Sequence, residues 1–179
     1  MTQTLDPQLE ELIKYFDSAE RLQLVATRIG LALWQLQDLE ASSAMCFAMV
    51  AKATKGMGIA TGYALLKEAR SKTFGPTIEQ LAKHGILSPE LVRRFDALRE
   101  ERNWLVHRSQ DDSRGAVHND QAMRKLVLRL ESMKKEALAL HQALQEIAMR
   151  HATKHGISRE EIMARANKTL AEWRSGQVG

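Results

Sequence analysis

Between Met123 and Ile147 the apolar residues fall into two interleaved heptad series. Met123, Leu130, Ala137 and Leu144 form one, and Leu126, Met133, Leu140 and Ile147 form the other. Alternating steps of three and four, sustained over four heptads, describe a helix that packs along its length on another long helix. The spacing predicts this helix from about Asn119 to His155, with Gly156 as its stop. A second stripe runs through Leu22, Val25, Ile29, Ala32, Leu36 and Leu39 and continues at Cys46 and Val50, which predicts a long helix from about Ala19 to Ala53. Gly30 lies inside it and marks the point where a kink or break is expected, because glycine is a poor helix former. Two such helices, paired near-antiparallel with shorter helices packed across them, predict an all-α, up-and-down bundle.

The shorter elements are marked by their caps. Asp6 and Pro7 open a first helix over Pro7–Phe16. Lys55-Gly56-Met57-Gly58 is a break, and helical pattern resumes near Gly62 and fades at Phe74-Gly75-Pro76. Thr77-Ile78-Glu79-Gln80 reads as a capping box for a short helix that stops at Gly85. Ser88-Pro89-Glu90 is a strong start for a helix reaching about His107. Ser109 to Gly115 is polar and reads as a loop. Ser158-Arg159-Glu160-Glu161 caps a last helix that ends near Trp173, with a frayed tail from Ser175 to Gly179. No window alternates as a strand would, and residues 1–179 read as a single helical domain.

Composition narrows the class of protein. The N-terminal residues lack the basic start and apolar stretch of a signal peptide, and no long uncharged apolar run spans a membrane. Cys46 is the one cysteine, set in an apolar run, and reads as a buried inert thiol. A cytoplasmic protein is expected. The net charge of +4 is compatible with a polyanionic partner. Around Arg102, however, arginines and carboxylates nearly balance, so no broad basic stripe is visible.

The chemistry is concentrated in Arg102-Asn103-Trp104-Leu105-Val106-His107. On a helix, Arg99, Asn103 and His107 stack along one face at i, i+4 and i+8. The opposite, apolar stripe carries Leu91, Phe95, Leu98 and Leu105, and Arg102 falls within it. A guanidinium turned toward packing needs an acceptor: an internal carboxylate, Glu101 of a neighbouring chain, or a ligand phosphate.

Arg102 followed by Asn103 and, after Trp104-Leu105-Val106, by His107 resembles the Arg-x4–6-His pattern of the HEPN superfamily. The resemblance extends to helix order over most of the chain. It implies a HEPN-like all-α domain and a metal-independent endoribonuclease of the toxin–antitoxin or phage-defence kind. It implies Arg102 and His107 as catalytic residues with Asn103 in support, a homodimer that brings two sets of them into one cleft, RNA as substrate, and a separate antitoxin or partner protein. In one HEPN toxin group a tyrosine follows two residues after the histidine, and here that place is Ser109. Histidine suits proton transfer near neutral pH, and arginine's planar fork suits a developing phosphorane.

Beside the enzyme reading stand two others. A HEPN-like helical dimer can serve as a non-catalytic module that binds protein or nucleic acid. Arg102 and His107 can also be structural, the arginine bridging carboxylates and the histidine capping helix carbonyls. Trp104 fits packing or a dimer contact better than base stacking. His151 and His155 sit at i, i+4 but read as a solvated helix end, so no metal and no cofactor are expected.

Overall fold

The computed structural model describes residues 7–54 and 56–176, with side chains from Asp17 onward. Among these residues all regular structure is helical: α1 (Pro7–Phe47), α2 (Ile59–Arg70), α3 (Phe74–Lys83), α4 (Pro89–His107), α5 (Ser109–Ser113), α6 (Asp120–Lys154) and α7 (Arg159–Arg174). A π-helical turn, Ala48–Lys52, ends α1, and a 3-10 turn, Arg114–Val117, leads into α6. No described helix is long and apolar enough to cross a membrane.

α1 and α6 share the most extensive interface, and their seams are those expected. Leu126, Leu130, Met133, Ala137, Leu140 and Leu144 of α6 are buried, as are Val25, Ala32, Leu36, Leu39 and Cys46 of α1. Ile29, Val50, Met123 and Ile147 are partly buried, and Leu22 alone of the two seams is exposed, at 58%. Arg21 pairs with Asp120 at 2.6 Å, the first residue of α6, so Leu22 lies at the rim where the seam begins.

The expected antiparallel pairing is corrected. Arg21 meets Asp120, Arg28 meets Glu131, and Asp38 meets His141. The partners advance together along both helices, so α1 and α6 run parallel. A three-four seam constrains the crossing angle and not the direction. Direction follows from the connection, and here α2 to α5 carry the chain back. α4 is the return stroke. Arg94 binds Glu136 through two hydrogen bonds, of 2.7 and 3.1 Å, and Glu101 binds Arg129, so α4 runs antiparallel to α6.

Other boundaries also move. α1 is continuous from Pro7 to Phe47, so the separate helix over Pro7–Phe16 does not exist. Phe16-Asp17-Ser18 contains neither glycine nor proline, and its propensity cost is too small to stop a helix held by tertiary packing. The Asp6 cap lies outside the described residues, as does the tail from Gln177. Gly30 does not break α1. α3 starts at Phe74, three residues before the expected capping box, because Phe74 is buried edge-on against Phe95. Thr77 is then inside the helix, donating its hydroxyl back to the Thr73 carbonyl at 3.1 Å. The segment expected as a loop after Ser109 instead forms α5 and the 3-10 turn. The expected caps at Ser88 and the Ser158–Glu161 box stand, and α6 is capped by Asn119, whose side chain accepts from the Ala122 N–H.

Candidate functional site

α4 owes its start to Ser88, whose hydroxyl accepts from the Leu91 N–H at 3.3 Å, and to Pro89 at its first position. Phe95, Leu98 and Leu105 are buried along its inner face. It ends at His107. Arg108 leaves helical geometry while its N–H still donates to the Trp104 carbonyl at 2.9 Å. The Ser109 hydroxyl donates to the Leu105 carbonyl at 2.6 Å, satisfying an orphan acceptor of the last turn.

Arg102 sits in the apolar stripe, and its acceptor is internal. Its Nε donates to Glu40 Oε1 of α1 at 3.2 Å, with the two side chains 35% and 29% exposed. Glu101 is engaged within the chain, accepting from Arg129 at 2.7 and 3.0 Å in a two-pronged pair. Trp104 is buried. Its indole N–H donates to Asp112 Oδ2 at 2.6 Å, and the Arg129 guanidinium lies 3.4 Å from its ring centroid. Both faces and the polar edge of the ring thus belong to the fold, as the packing reading of Trp104 expects.

Arg102 and Asn103 lie together in a cleft of about 350 Å³. Arg99 and Glu40 line it as well, and the first turn of α3 at Thr73 and Gly75 forms its far wall. Arg99 is held loosely, with Nη2 3.4 Å from Asp96 and Nη1 3.9 Å from Glu79. Asn103 is exposed, and among the described residues its side chain has no hydrogen-bond partner. His107 is exposed at the end of the helix and does not line the cleft. Five residues along a helix turn the direction by about 140° and advance it by about 7.5 Å, so Arg102 and His107 diverge within one chain. Asn103 and His107, one turn apart, share a face.

A second cluster escaped the sequence reading. His141 of α6 places Nδ1 2.9 Å from Asp38 and Nε2 3.1 Å from Ser42, both on α1. The order Asp–His–Ser is that of a hydrolase relay. Ser42, however, lies inside the unbroken α1, where backbone N–H groups are spent on helix carbonyls and none is left for an oxyanion. The row clasps α1 to α6. Its members are i, i+4 neighbours on α1 joined to a histidine 99 residues away, a pairing with no local signal.

At the end of α6 the rings of His151 and His155 stack with centroids 4.3 Å apart. Burial, the neighbouring His155 and Lys154 all lower the His151 pKa from its ordinary value. Among the described residues no group of three or more His, Cys, Asp or Glu gathers as metal ligands. No protein-family model, no curated protein and no solved structure matches the chain.

Proposed function

We propose that this protein is a HEPN-type endoribonuclease, working without metal as a homodimer whose two α4 helices face each other across a two-fold axis. The observation that carries the reading is the layout of α4: Arg102 and Asn103 at the mouth of an arginine-bearing cleft, with a solvent-open His107 one turn beyond Asn103. Because Arg102 and His107 diverge within one chain, the reaction needs the arginine of one protomer and the histidine of its partner, or two such pairs. A toxin or defence role, with a separate antitoxin, accompanies this reading.

In the proposed reaction the RNA 2′-hydroxyl attacks the adjacent phosphorus. The P–O2′ bond forms and the P–O5′ bond breaks, leaving a cyclic phosphate and a 5′-hydroxyl. His107 takes the 2′-hydroxyl proton, or returns one to the leaving 5′ oxygen. Arg102 neutralises the phosphorane, and Asn103 orients the imidazole or a phosphate oxygen.

One observation favours the non-catalytic module: Arg102 already has a carboxylate partner in Glu40. Cleavage assays on a panel of RNAs, with and without EDTA, separate the two readings when run beside melting and light scattering. Arg102→Ala and His107→Ala are each expected to abolish cleavage by a chelator-resistant dimer. His107→Ala leaves the melt unchanged. Arg102→Ala lowers stability by only about 1 kcal/mol, since Glu40 can rehydrate. A wild-type protein inert on every RNA supports the module. A 20.2 kDa particle in solution removes the composite site.

A further inference from the structure

We propose that Arg99 is a second phosphate-binding residue of this site, holding the RNA backbone beside the phosphate that reacts. The inference rests on the nuclease reading above and extends it to how substrate is gripped. The arginines around α4 differ in how they are held. Arg94, Arg102 and Arg129 each hydrogen-bond a glutamate, at 2.7, 3.2 and 2.7 Å respectively. Arg99 makes only the looser contacts with Glu79 and Asp96, whose side chains are 73% and 50% exposed. Ion pairs of this kind are screened by water and contribute little. A phosphate offers the guanidinium two parallel charge-assisted hydrogen bonds and displaces such partners readily.

Position agrees with chemistry. Arg99 and Asn103 line the same cleft, and Arg99, Asn103 and His107 lie along one helix face. The steps between them are about 6 Å along the axis, comparable to the spacing of successive phosphates in an extended single strand. A strand lying on this face places one phosphate at Arg99 when its neighbour is near Asn103 and His107. The far wall is cut to fit. A Cβ on Gly75 would stand 3.3 Å from Arg99 Nη1, so the guanidinium rests against bare backbone of α3. Glu79, 3.9 Å from that same Nη1, and Asp96, 3.4 Å from Nη2, are then the competitors of the phosphate.

The test uses His107→Ala full-length protein, which leaves the probe intact, and a labelled single-stranded oligoribonucleotide titrated from 50 to 200 mM salt. Adding Arg99→Ala is expected to weaken binding about tenfold and to flatten the salt dependence by about one phosphate contact. Arg99→Lys keeps the salt slope and loses part of the affinity. Glu79→Gln tightens binding. In otherwise wild-type protein, Arg99→Ala raises KM and leaves kcat within about twofold, as expected for lost uniform binding. If wild type cleaves RNA but Arg99→Ala changes neither salt slope nor KM, the clamp is overturned and the nuclease stands. A fall in kcat at constant KM overturns it as well. If nothing is cleaved but binding depends on Arg99 as described, the nuclease reading falls and the clamp stands. Protein that neither cleaves nor binds RNA removes both.

Discussion

Cys46 shows how burial alone sets a side chain's chemistry. Its thiol is 2% exposed, and loss of hydration pushes its pKa from 9.0 up to about 11. The unfolded chain releases this proton near its ordinary value while the native state keeps it. Stability from this group is therefore intact below about pH 9 and is lost as pH rises toward 11. Native protein at pH 8 is expected to resist iodoacetamide, reacting only as denaturant opens the seam; mass spectrometry showing fast alkylation without denaturant contradicts this. Gly30 makes the opposite case, a residue whose replacement should help. It lies in unbroken α1, and a Cβ there meets nothing within 4 Å. Gly30→Ala removes backbone freedom from the unfolded state and is expected to stabilise by about 0.5–1 kcal/mol in urea titration. A destabilised variant would mean that this surface is covered.

At the scale of elements, what was legible in the sequence is what depends on local period and local caps. The α6 seam, the stripe on α1 and the starts at Ser88, Asn119 and Ser158 are written within a few residues of one another. Direction was not legible, because a three-four seam reads the same for parallel and antiparallel partners. Nor was the start of α3, where the contact between Phe74 and Phe95 outweighed the capping pattern at Thr77. The candidate site divides the same way. The shared face of Arg99, Asn103 and His107 follows from helical spacing on α4, and Arg102 was singled out by its place in the apolar stripe and by the motif resemblance. Glu40, the partner that holds Arg102, lies 62 residues away on α1 and could be identified only once the helices were assembled.

Across the whole molecule the helices are unequally tied down. α7 buries no residue, and Trp173 at its end is 60% exposed. Gly156, at φ +85°, closes α6 before it. Protein ending at Gly156 is therefore expected to keep the unfolding free energy of the full chain, measured by urea titration, within about 0.5 kcal/mol; a larger loss would show α7 to be part of the stabilising core. The parallel pairing of α1 with α6 has a consequence of another kind, during synthesis. Arg28 must wait for Glu131, 103 residues later, and Ser42 for His141, 99 residues later. At about 5–20 residues per second, the ribosome leaves the apolar stripe of α1 without its main partner for on the order of 10 s. The nascent chain thus passes through a period in which its longest helix is a sticky, half-clothed rod, and a chaperone that recognises amphipathic helices would find its substrate there.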